Sequence, residues 1–175
     1  MTHLDKPILD TKRFAKALRV ATVMHELQGR KRPDRPAERV QPPMAYICHP
    51  LGVCSIALGY GATEDEAIAA LLHDVLEDGR PTRRAIAAVR RFGNEVYAIV
   101  DACTDGLPGR DGKKAPREER VAKYLAHLPT ASKSACLVSA SDKLHNARAM
   151  VADLRTDGDA LWEILNMGKD RQLAY

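Results

Sequence analysis

No run of apolar residues approaches the ~18 needed to cross a bilayer, and the N-terminal MTHLDKPILDTKRF lacks the apolar core of a secretion signal. Those two absences lead us to expect a soluble, cytoplasmic protein with no membrane partner. Cysteine is scarce: Cys48, Cys54, Cys103 and Cys136 form no C-x-x-C pair and lie in apolar stretches, so reduced core thiols are expected rather than a disulfide framework. Aromatic residues make up only 5% of the chain, and segments alternating polar with apolar residues are missing, which argues against a sheet. Nor does one sign of charge dominate. Lys plus Arg number 27 against 23 Asp plus Glu, and a net charge of +4 is too small and too mixed for a nucleic-acid binder. An anionic small molecule remains a fitting ligand. What is present is 45% apolar residues in a chain of 175, enough for one core without structural staples. A metal site in such a chain is therefore expected to do chemistry.

Helical periodicity runs through almost the whole sequence. From Asp10, the residues Phe14, Ala17, Leu18, Ala21, Met24 and His25 recur at steps of three and four, with Asp10 as N-cap and Gly29 as the stop. Residues 30–43, RKRPDRPAERVQPP, hold four prolines and five basic residues and read as a long surface loop. Pro50, after His49, opens a second helix that ends near residues 59–61. Thr63 and Glu66 form a capping box for a third, running to about Glu77 and closed by Gly79. Thr82 caps the next helix, RRAIAAVRRF, Gly93 ends it, and Asn94 begins a fifth. After the loop DGLPGRDGKKA, whose lysines read as solvated, Pro116 opens another helix. Thr130 or Ser132 caps a long segment through Leu154, and Asp159 caps a last piece with Trp162, Ile164 and Leu165, short or truncated before Tyr175. The expectation is an all-α fold of seven to eight helices in a single domain over residues 1–175.

Ligand-type residues concentrate in three places: His49 in AYICHPLGV, His73 and Asp74 in ALLHDVLED, and Asp142 in ASDKLHN. Two histidines and two aspartates suit a divalent cation such as Mn²⁺, Fe²⁺ or Zn²⁺ with positions left for water or substrate. His73 and Asp74 sit late in a mostly apolar helix, where burial is costly unless they pair or bind a cation. On one unbroken helix, Glu77 and Asp78 return to the same face and can act on a metal-bound water. Asp142 and Asn146, four apart, share a face, and Asn146 can donate to a phosphate or sugar oxygen. Arg30 and Lys31, at the start of the basic loop, can stack on a purine and pair with phosphate. His25 reads as a partly buried helix residue without a metal role, His145 as a neighbour of Asp142 and only an outside candidate for a ligand, and Cys48 as core.

HELQGRK, YICHPLGV, AALLHDVLED, RFGNEV and SDKLHNAR stand in an order and at spacings that resemble the HD-domain hydrolases. Within them, the chain is similar to alarmone hydrolases related to the RelA/SpoT enzymes and to the small metazoan-type hydrolases. The resemblance implies a helical HD fold in which His49, His73, Asp74 and Asp142 hold one Mn²⁺ and Glu77 and Asp78 position or activate water. It also implies that Arg30 and Lys31 line the base-binding side and Asn146 the substrate pocket. The implied reaction is hydrolysis of the 3′-pyrophosphate of (p)ppGpp to GDP or GTP plus pyrophosphate, with no synthetic domain alongside. Ala45 stands where proline commonly precedes the tyrosine, and the loop from Lys31 to Tyr46 is longer than in compact relatives. Those departures leave two alternatives on the same chemistry, (p)ppApp and NADPH, and a third in which the domain is a non-catalytic nucleotide-binding module. The sequence leaves a homo-oligomer open.

Overall fold

The Asp10 carboxylate accepts from the amides of Lys12 and Arg13, two of the donors that a helix start leaves unpaired, and α1 accordingly runs Thr11–Met24. In the computed structural model, residues 9–30, 44–78, 82–106, 114–164 and 169–170 are described, without the side chains of Asp78, Thr82 and Ile164. α1 ends before the expected Gly29. The chain turns at residues 25–27, burying His25, and then pairs with another segment: the Arg30 amide donates to Met44 O at 2.9 Å and the Tyr46 amide to Gln28 O at 3.0 Å. The Gly29–Ala45 bridge at its centre is the one strand-like pairing among the described residues.

α2 spans Cys48–Gly59 and leads through Gly61, at φ 82°, into α3, Glu64–Leu72. Both halves of the capping box form: the Glu66 amide donates to Thr63 Oγ1, and Glu66 Oε2 accepts from the Thr63 amide at 2.7 Å. α3 does not reach Glu77. It breaks at His73–Asp74 and resumes as the short α4, Val75–Asp78, so two segments replace one expected helix. α5, Thr82–Arg90, ends at Gly93, whose φ of 106° is the left-handed geometry that favours glycine, and α6 follows at Asn94–Cys103. Pro116 precedes α7, Arg117–His127, and a 3₁₀ turn at Leu128–Thr130 leads to Ser132, whose hydroxyl accepts from the Ala135 amide at the start of α8, Lys133–Asp157. α9 is Ala160–Ile164. The fold is all-α.

α3 is the central helix, in contact with α1, α2, α6 and α8. Its residues from Ala67 to Leu72 are all fully buried, the pattern of a helix apolar on every side. Ala67, Ala69 and Ala70 let the surrounding helices come close, while Ile68, Leu71 and Leu72 each contribute about 1.5–3 kcal/mol by leaving water. Arg13 fixes α1 to the start of α3 through Glu64 at 2.7 Å and Asp65 at 2.5 Å. Of the four cysteines, all free thiols, Cys54 is core, as expected, but Cys136 is exposed. It sits beside buried Ala135 on the side of α8 turned away from the core, where one step along the helix is enough to reach solvent.

Candidate metal centre

Three crossings at the end of α3 bring distant residues together. His49 is the second residue of α2, His73 and Asp74 form the break between α3 and α4, and Asp142 lies within α8. His49 Nε2 is 3.1 Å from Asp142 Oδ1 and 3.5 Å from Asp74 Oδ2, while His73 Nε2 is 3.1 Å from Asp74 Oδ2 and 3.7 Å from Asp142 Oδ1. Candidate ligand atoms of His49, His73 and Asp74 all lie within 4.8 Å of one another. Both histidines are nearly inaccessible to water. His73 keeps helical dihedrals at the C-cap of α3, and the end of that helix lies against α2 and α8, which supply His49 and Asp142.

The donor set fits a divalent cation. His73 Nδ1 donates to Ala70 O at 2.9 Å, which leaves Nε2 as the ring nitrogen facing the carboxylates, and that atom is buried without a hydrogen-bond partner. Burial opposes charge on His73, but Asp74 and Asp142 outweigh it and hold the imidazole well above its ordinary value. Burial likewise drives Asp74 and Asp142 up, yet the histidines around them bring both carboxyls far below the usual carboxylate range. The field at this point therefore favours positive charge, which a proton or a metal ion satisfies.

Outer contacts hold the same atoms. Tyr46 donates its hydroxyl to Asp74 Oδ2 at 2.5 Å, and the Tyr46 ring packs 4.8 Å from that of His25, whose Nδ1 pairs with Gln28 Oε1 at 2.8 Å. Lys143 donates to Asp142 Oδ2 at 2.8 Å and Asn146 Nδ2 to Asp142 Oδ1 at 2.6 Å. Arg30 Nη2 in turn donates to Asn146 Oδ1 at 3.3 Å, so Arg30, Asn146 and Asp142 form one line from the bridge to the centre. His145 is closer than its reading as a mere neighbour: its Nδ1 is 2.9 Å from His49 Nδ1. Burial, and then the charges of His49 and Arg30, push it down to about 4.

Glu77 is placed by other means than the helical spacing, since α3 and α4 are not one helix. Its Oε1 accepts from the Asp105 amide at 2.8 Å and its Oε2 from Lys114 Nζ at 2.9 Å. Burial raises the carboxyl to about 7 against those two contacts. Lys114 is thus not a solvated lysine of its loop; a half-buried carboxylate draws it in. Asp105 also pairs with Arg120, anchoring the segment that supplies the amide. The Asp78 side chain and all of Lys31 lie outside the described residues, as does the basic loop after Arg30. Lys114 carries no spacing signal toward the candidate ligands, and Tyr46 and His145 carry a weak one. Only the position of Tyr46 three before His49, and of His145 three after Asp142, pointed that way.

A family model described as HD domain matches residues 35–166. The bifunctional (p)ppGpp synthase/hydrolase SpoT of Escherichia coli K12 is 30% identical over 148 residues, covering 83% of this chain and 19% of SpoT. A probable GTP pyrophosphokinase of Mycobacterium leprae is 31% identical over 135 residues, 77% of this chain and 15% of the relative. The chain thus spans less than a fifth of the length of these two relatives. Among solved structures, a metazoan orthologue of SpoT that hydrolyses ppGpp superposes with a TM-score of 0.66 at 25% identity, covering 82% of this chain and 72% of that one. The Listeria monocytogenes EGD-e protein lmo0812 superposes with a TM-score of 0.59 at 30% identity, covering 71% and 75%.

Proposed function

The chain belongs to the HD-domain family, and we propose that it hydrolyses the 3′-pyrophosphate of the guanosine alarmones (p)ppGpp, giving GDP or GTP and pyrophosphate, as a cytoplasmic, metal-dependent enzyme. The observation that carries the reading is the buried His49, His73, Asp74 and Asp142 cluster, with both histidine Nε2 atoms turned to the two carboxylates, in a chain that superposes on a ppGpp-hydrolysing SpoT orthologue.

These four residues would hold the ion, with Mn²⁺ as the proposed metal. A bound divalent ion supplies charge that polarises a phosphoryl oxygen and makes water more acidic. The rest of the work belongs to the chain. Glu77 and Asp78 orient the attacking water, and Glu77, raised by burial to about 7, takes up its proton near neutral pH. Lys114 and the Asp105 amide keep that carboxylate in one place. On the base side, Arg30 presents a flat cation to a purine, and Lys31 pairs with phosphate. Asn146, already bonded to Asp142, turns its amide to a substrate oxygen.

The test compares ppGpp, ppApp and NADPH as substrates of metal-stripped protein reloaded with Mn²⁺, with phosphate and pyrophosphate release measured in parallel. Preference for ppGpp is expected. Turnover confined to ppApp or NADPH overturns the guanosine assignment and leaves the chemistry standing. In Glu77→Gln, loss of turnover with unchanged metal content is expected, and undiminished turnover removes Glu77 from the reaction.

A further inference from the structure

We propose that His145 is a positioning residue that fixes His49 as a metal ligand, and that Gly52 is kept small to admit it. The inference rests on the metal site proposed above. His49 faces the carboxylates through Nε2, 3.1 Å from Asp142 Oδ1, and its other nitrogen, Nδ1, lies 2.9 Å from Nδ1 of His145. An imidazole that gives its Nε2 lone pair to a cation carries its proton on Nδ1, and that proton needs an acceptor. Ligating histidines ordinarily find a carboxylate or a backbone carbonyl for this purpose. Here the acceptor is a second imidazole. With its Nδ1 lone pair so used, His145 is the neutral Nε2–H form.

The surroundings are built for that ring. His145 is delivered by α8, one turn beyond Asp142, and so reaches His49 from the same helix that supplies the facing carboxylate. Gly52 is three residues after His49 on α2, on the same face of that helix. A Cβ at Gly52 would overlap Cδ2 and Nε2 of His145. α2 has a glycine at a mid-helix position, where alanine is the better helix former, at the place where the ring passes. The His49 and His145 rings lie 4.8 Å apart, tilted at 57°, with the two Nδ1 atoms 2.9 Å from each other.

The variants are His145→Leu, which keeps bulk but cannot accept, His145→Gln, which restores an acceptor oxygen, and Gly52→Ala, which expels the ring. Mn²⁺ affinity of chelator-stripped protein is measured by calorimetric titration, alongside circular dichroism and melting of the metal-free forms. His145→Leu and Gly52→Ala should bind Mn²⁺ about 10- to 100-fold more weakly while remaining folded, and His145→Gln should recover part of the loss. In Zn²⁺-loaded wild type, a slowly exchanging His49 Nδ1–H resonance is expected in the proton spectrum and absent from His145→Leu. Equal Mn²⁺ affinity in wild type and His145→Leu, or equal loss in the Leu and Gln variants, overturns the role of His145. Wild-type affinity in Gly52→Ala overturns the role of Gly52. A wild type that takes up no divalent ion instead overturns the metal-site reading beneath both.

Discussion

Burial pushes the Glu77 carboxyl up to about 7, outweighing its contacts with the Asp105 amide and Lys114. An unfolded chain loses that proton near the ordinary value of 4.5, so between 4.5 and about 7 the folded protein holds a proton that the unfolded one has released. Stability from this group is complete below that window and is lost as pH rises through it. Glu77→Gln, neutral at all pH, should match wild type near pH 4 and gain on it up to pH ~7, by at most about 3 kcal/mol in the metal-free protein. Melting both proteins across this range checks it; a constant difference would refute the burial argument. At this scale the cluster of candidate ligands was legible, because His73 and Asp74 interrupt an apolar run and invite the question of what pairs them. Lys114, Tyr46 and His145 were not. Each is a polar residue of ordinary spacing whose role arises only from the crossing of one segment over another.

Local sequence governs how the helices begin, and tertiary demands govern how some of them end. Asp10, Thr63 and Ser132 cap α1, α3 and α8 at the expected places, since a short polar side chain facing free amides acts over three residues. Thr63→Ala removes the hydroxyl that accepts from the Glu66 amide and leaves the Thr63 amide on Glu66 Oε2 in place, which should cost about 1 kcal/mol and lower the melting temperature by roughly 2–4 °C. An unchanged melt would show that packing alone holds the start of α3. The end of α1 and the split between α3 and α4 escaped periodicity for the same reason. Both fall where side chains meet partners on other segments, His25 against Tyr46 and His73 and Asp74 beside His49 and Asp142. A repeat of 3.6 residues carries no mark of those partners.

On the scale of the whole molecule, the candidate ligands come from α2, the α3–α4 break and α8, so a bound ion would tie three elements together at one point. Binding to the folded state alone adds about 2.7 kcal/mol at a hundredfold excess over Kd, or roughly 5–10 °C for a chain of this size. Chelation should reverse the gain, and Asp142→Ala should show no such response; a melt insensitive to metal in wild type would contradict a site closed across three elements. The central claim is that this cluster powers alarmone hydrolysis. The measurement that tests it most directly is pyrophosphate release from ppGpp by metal-stripped protein, before and after Mn²⁺ is restored, beside His73→Ala. Release that returns with Mn²⁺ and is absent from His73→Ala is the predicted result; ppGpp left intact by the reloaded protein, or His73→Ala as active as its parent, would contradict it.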